Sequence, residues 1–156
     1  MSVKRVGKFK FGTYKKRFKA HKRRRIPILV ANTAKNHFLQ GFRQGAQGGG
    51  GFTDASRGGW QRRKKITRRQ RNKSILVQRS FLRNFIRKKG VLEKSFQQII
   101  LGTSGIRYAG IHNEGGTITT ENAVINMPQR EFIGQSRRLN KKILVILKNE
   151  GKRIFK

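Results

Sequence analysis

The chain contains no cysteine, only two prolines, a single tryptophan and six acidic residues among 156. Without cysteine there is no disulfide framework and no thiolate metal site, an absence that fits a reducing compartment. No run of about 18 apolar residues occurs, so no membrane-spanning helix is expected. The basic N-terminal stretch is not followed by an apolar run, so no secretory signal is expected. Six acids leave few partners for acid–base or metal chemistry, and none of them forms a paired carboxylate motif.

What is present is positive charge. Thirty-nine Lys and Arg give a net charge of +33, while hydrophobic residues make up only 35% of the chain. The length suffices for one domain with a modest core, and the low apolar content implies that part of the length lies outside it. Self-repulsion on this scale opposes compaction, so a polyanion or an acidic partner surface is expected to neutralise it. Residues 1–25 carry no acid, and among their cations are Lys15, Lys16, Arg17, Arg23, Arg24 and Arg25. A block of like charges predicts an extended or disordered arm. Phe9, Phe11, Tyr14 and Phe18 are interleaved with the cations. That pattern suits nucleic acid, with rings for bases and cations for phosphates; a solvated tail is the other reading.

From Ile26 the pattern changes. Pro27 suits a first helical turn, and Ile26, Val30, Ala34, Phe38 and Phe42 recur every four residues, predicting a helix over about 27–42. His37 is placed at the boundary of that apolar face. Residues 45–59, with Gly48–Gly51, read as a flexible loop; phosphate-loop chemistry requires Gly-Lys-Ser/Thr opening a helix, which is missing. Residues 61–73 are basic again, with Arg62, Arg63, Lys64 and Lys65 as a second polyanion-contacting stretch or a solvated face. Val91–Leu101 and Ile106–His112 predict a hairpin around the turn Gly102–Gly105. Thr117–Thr120 and Ala123–Met127 predict a second hairpin around Glu121 and Asn122. Ser136 is an expected N-cap for a last amphipathic helix presenting Leu139, Ile143, Ile146 and Leu147, with Gly151 as its terminator. Residues 151–156 are then a short basic tail. The expected class is α+β: a small antiparallel sheet of hairpins packed by an N-terminal and a C-terminal amphipathic helix.

Two segments carry a resemblance. Tyr108-Ala109-Gly110-Ile111-His112-Asn113-Glu114-Gly115-Gly116 is followed by Pro128-Gln129-Arg130-Glu131-Phe132-Ile133-Gly134. Together they resemble the YAxIHxxGG and Pro-x-Arg-x-Phe-x-Gly segments of the phage virion morphogenesis family, the Mu-like tail-completion proteins. Glu131 stands where the family usually has a second proline. Gly58-Gly59-Trp60 resembles the family's Gly-Trp landmark, which implies that Trp60 docks on the core. Ile75–Ile86 is similar to its ILxxxGxLxxS segment, with Ser80-Phe81 in place of Thr/Ser-Gly. The resemblance spans roughly residues 26–150, which it implies is a single α+β domain. It also implies a structural virion protein rather than an enzyme, in the neck, connector or tail-completion ring between portal and tail. Such a part would form a closed ring of about six or twelve identical copies beside portal, adaptor or tail subunits, after assembly in the host cytoplasm.

His112, Asn113 and Glu114 are the residues that invite a catalytic reading. On an extended segment His112 and Glu114 would share a side, but a metal needs further ligands and no nucleophile accompanies them. No catalytic, cofactor or metal residue is assigned. Trp60, Tyr108, His112, Asn113, Glu114, Gly115, Gly116, Pro128, Arg130, Phe132 and Gly134 are instead read as structural or assembly residues. Charge alone also fits a nucleic-acid-binding module of ribosomal-like or packaging type, without ring assembly. The two readings are compatible, because basic segments of a neck ring could meet genome phosphates without reading sequence, or could dock on acidic neighbours.

Overall fold

A computed structural model describes residues 11–42, 51, 54, 60, 61, 68, 76 and 80–155. Residues 1–10, most of the glycine-rich loop and the stretch Arg62–Lys65 lie outside the described residues.

The chain opens with helix α1 (Phe11–Ala20), a π turn (His21–Arg25) and helix α2 (Ile26–Gly41). Ala20, Arg25 and Ile26 all keep right-handed helical dihedrals, so the three pieces form one continuous helical path. The extended arm expected over residues 1–25 is therefore corrected over 11–25. Lys and Arg are good helix formers, and an already folded α2 removes the nucleation cost that an isolated basic segment would face. Pro27 lies inside this path rather than at its start. A proline within a helix has no N–H to donate, and its ring crowds the carbonyl four residues back. The wide turn just before it accommodates this, with Ile26 N–H bonded to the carbonyl of His21, five residues back.

α2 carries the core. Ile26, Val30, Ala34, Phe38 and Phe42 are buried as their spacing predicts, and His37 is buried with them rather than at the boundary. Helix α3 (Phe81–Lys89) buries Leu82 and Ile86, one turn apart, and ends in Arg87, Lys88 and Lys89, where cations meet the negative helix end. Strands β1 (Val91–Lys94) and β2 (Ile99–Leu101) pair antiparallel. Their turn is 95–98, closed by Ser95, whose N–H and hydroxyl both donate to the carbonyl of Gln98.

The hairpin partner expected at 106–112 is instead helical. Helix α4 (Ala109–Glu114) is preceded by a bond from Ala109 N–H to the carbonyl of Ile106. Ile106 and Ala109, three apart, both pack into the core, and that is helical spacing rather than alternation. Strands β3 (Gly116–Thr120) and β4 (Ala123–Met127) form the second hairpin in the expected register, with Ile118 opposite Ile125. Among the described residues the two hairpins are separate two-stranded sheets with no common sheet, and the class is α+β. Helix α5 (Arg137–Ile154) packs along α2. Gly151 does not terminate it; Ile154 is buried at its end, so the expected tail at 151–156 is helical through residue 154.

Among the described residues two clusters make the core. One joins Phe42, Trp60, Leu82, Ile86, Ala109 and Phe132; the other joins Ala34, Phe38 and Leu139; Ile133 touches both. Full burial of each large side chain contributes roughly 1.5–3 kcal/mol.

Candidate functional site

The two resemblance segments close on each other. α4 ends at Glu114, and Gly115 leaves it with φ 78° and ψ 178°, followed by Gly116 with φ 141°. A Cβ on Gly115 would come within 3.0 Å of the Gln129 backbone nitrogen, so the close approach of the two segments requires glycine there. Asn113 Oδ1 accepts from the backbone N–H groups of Phe132 (2.9 Å) and Ile133 (3.1 Å). Arg130 N–H donates to the carbonyl of His112 at 2.7 Å. These bonds hold the chain before α5 against α4 across about twenty residues of sequence.

Trp60 locks the same segment from the other side. Its indole N–H donates to the carbonyl of Glu131 at 2.8 Å. Its ring stands edge-on to Phe42 at 5.3 Å, and Phe42 meets Phe132 at 5.8 Å. Trp60 is 3% exposed, as expected. Gly51 sits against the indole and its N–H donates to the carbonyl of Gly41. Gly134 lies beneath the Glu131 carboxylate, and an added Cβ would require that side chain to move aside. The residue that departs from the family pattern thus covers the segment's last glycine.

His112 and Glu114 do not share a side. On α4 residues two apart point in roughly opposite directions, and Glu114 is exposed. Tyr108 stands edge-on to the His112 ring at 5.7 Å. Burial, and then the Arg130 charge, hold the pKa of the His112 imidazole below its ordinary value, favouring the neutral ring. Pro128 is half-buried.

A second cluster was not foreseen. Ser136 caps α5 by accepting from Leu139 N–H at 3.0 Å, and its hydroxyl donates to Asp54 Oδ1 at 2.7 Å. His37 Nε2 lies 2.9 Å from the Ser136 hydroxyl oxygen. Because the single Ser136 proton goes to Asp54, the His37 proton sits on Nε2 and donates. Burial, then the Lys142 charge, lowers the His37 pKa, against the pull of Asp54. Burial of Asp54 is outweighed by bonds from Arg138 N–H and Ser136, so its carboxyl lies below the usual range. Three residues of triad type are thus together, but in the wrong order. A catalytic triad needs the acid on the far ring nitrogen and a histidine that accepts from the serine. Here acid and histidine both converge on the serine oxygen, and the arrangement is a helix cap. The only sequence signal for it was Ser136 itself, since Asp54 and His37 are far from it in the chain.

The cations are displayed. Lys15, Lys16, Arg17, Arg23, Arg24 and Arg25 are exposed on α1 and the π turn. Among the described residues no three His, Asp or Glu side chains form a group that could hold a metal ion, and no helix is long and apolar enough to cross a membrane.

No curated protein and no solved structure matches the chain. The model of the phage virion morphogenesis family matches residues 17–150. That span contains both interlocked segments, the tryptophan and most of α5, and the chain belongs to the phage virion morphogenesis family.

Proposed function

We propose that this chain is a subunit of a homo-oligomeric ring in the neck or tail-completion region, joining the portal to the tail. Membership of the family carries a structural role in the virion. The finer reading is supported by one observation: the β3–β4 hairpin. Both faces of it are largely exposed, including Val124 (68%) and Ile125 (45%), and among the described residues neither outer edge pairs with a third strand. An isolated hairpin is marginal in water, and free edges carrying apolar residues pair with other chains. A neighbouring subunit is the partner that covers both. The interlocked segments 108–116 and 128–134 fix the base of this hairpin, so their work is to aim it. The role is structural rather than catalytic.

The cations contact the genome that passes through such a ring, through phosphates rather than bases.

Native mass spectrometry with negative-stain imaging tests the reading, on nuclease-treated protein in high salt and again with portal or tail subunits added. A closed ring of defined copy number, lost in Val124→Asp with the fold retained, is the expected result. A monomer under every condition, partners included, overturns it.

A further inference from the structure

α1 and the π turn run beside the β1–β2 turn. Lys19, Lys22 and Arg23 face Lys94 and Phe96 across an open cleft of about 540 Å³. The Lys22 Nζ lies 4.8 Å from the Phe96 ring centroid, which holds one ammonium at the mouth while the ring stays 44% exposed. Lys94 also borders a second hollow of about 320 Å³, which Lys35 and Lys88 line. The two hollows share Lys94 and together form one cationic track. Among the described residues no acid lines either of them. Strand alternation sends Glu93, the acid nearest in sequence, to the face opposite Lys94.

We propose that this track is a binding site for the phosphodiester backbone of a nucleic acid. The inference rests on the genome-contact reading above and gives that contact a location. Three features favour phosphate over an acidic protein surface. The cations are almost all lysines, which serve as point charges for phosphate and are depleted from protein–protein interfaces. Lys15, Lys19 and Arg23 recur every four residues along the helix, roughly 6 Å apart, a linear array suited to a linear polyanion. Phe96 adds an exposed ring on which a base can stack.

The test is fluorescence anisotropy on the full nuclease-treated chain, with a short labelled duplex, a labelled single strand of the same length, and polyglutamate. The variant Lys19→Gln/Lys22→Gln/Lys94→Gln is expected to lower the slope of log affinity against log salt by about 2–3 for duplex, at about 0.9 per contact. A control, Lys141→Gln/Lys148→Gln/Lys152→Gln, removes the same charge from exposed positions of α5 and should change the slope by less than about 1. Equal effects of the two variants overturn the site, because binding would then follow overall charge. Polyglutamate held as tightly as nucleic acid overturns it in favour of an acidic protein surface. Tighter binding of duplex assigns the packaged genome as the source, and tighter binding of the single strand, lost in Phe96→Ala, assigns an unpaired strand. If the unsubstituted chain shows no salt-dependent binding at all, the genome-contact reading falls together with the site. Lysine acetylation of the unsubstituted chain gives a readout that needs no variant to fold. Bound DNA should protect Lys19, Lys22 and Lys94 more than Lys141, and uniform protection overturns the proposal.

Discussion

Glu150 and Arg25 tie the two ends of the described chain together, with Glu150 Oε2 2.7 Å from Arg25 Nε. The carboxylate is 3% exposed and also meets His21 Nδ1 at 2.9 Å and Arg153 at 3.0 Å. A carboxylate near a helix C-terminus is unfavourable by itself, so the surrounding cations are what make it tolerable there. They also attach a basic helix to the body of the domain, with Tyr14 packed on Phe155 at 6.2 Å.

The buried member of this cluster is the acid, while Arg25 and Arg153 are about half exposed, and that makes its energetics asymmetric. Glu150→Gln returns the cations to water and should cost about 1–2 kcal/mol, as loss of charge-assisted hydrogen bonds. Arg25→Ala combined with Arg153→Ala leaves the carboxylate buried with His21 alone and should cost more, about 3–5 kcal/mol. Urea denaturation of both variants would decide. A double variant no less stable than Glu150→Gln would show that the cations do not hold the carboxylate.

Asn113→Ala should cost about 2 kcal/mol, because it strips the acceptor from two backbone donors at the start of the last segment. Amide exchange should rise at Phe132 and Ile133 before it rises in α2. Unchanged protection at those two amides would mean that the Asn113 bonds contribute little.

Gly115→Ala combines a φ of 78° with a Cβ 3.0 Å from a backbone nitrogen. At φ 78° and ψ 178° the backbone is in a region open essentially only to glycine, where another residue costs about 1–3 kcal/mol, and the crowding adds to it, so a drop in Tm of several degrees is expected. Ring assembly should fall more than the melting temperature does, since the hairpin is aimed from this joint. A variant that melts normally and assembles normally would remove the joint's proposed role.

Acid should loosen the fold in a definite window. His37 and His112 both have folded pKa values below the ordinary 6.5, so the unfolded chain binds more protons than the folded one. Their contribution is fully present above that value and is lost as pH falls through the folded values. Each histidine can approach about 1.4 kcal/mol per pH unit. Asp54, with its carboxyl lowered from 3.8, adds a further loss at stronger acid. Melting temperatures should hold near pH 7 and decline toward pH 5, and His37→Gln should flatten the decline. A melting temperature constant between pH 7 and pH 5 would contradict this account.

The helical spacing from Ile26 to Phe42, the Ser136 cap, the β3–β4 hairpin and the burial of Trp60 were all legible in the chain, each from a local pattern or a quoted landmark. The segment 106–112 was not, because its apolar residues fit alternation as well as a helix. The packing of Ile106 and Ala109 into the cluster that also holds Phe132 and Trp60 settled it. The hairpin turn at 95–98 was missed because Ser95 closes it with its own side chain, with no glycine to mark it. The Ser136–Asp54–His37 cluster was invisible for a different reason: its members are separated by 82 and 99 residues.

By itself, then, the sequence determined the charge of +33, the absence of any disulfide, the apolar face of α2 and the two segments that mark the family. These depend on composition or on neighbours within a turn or two, which chain connectivity alone places. The helical state of residues 11–25 came instead from packing between distant parts of the chain. Read locally, a block of cations repels itself and stays extended. Placed against α5, His21 and Arg25 from that block reach a buried carboxylate at the far end of the chain, and the helix continues into the packed α2, while most of the remaining cations keep apart by facing solvent.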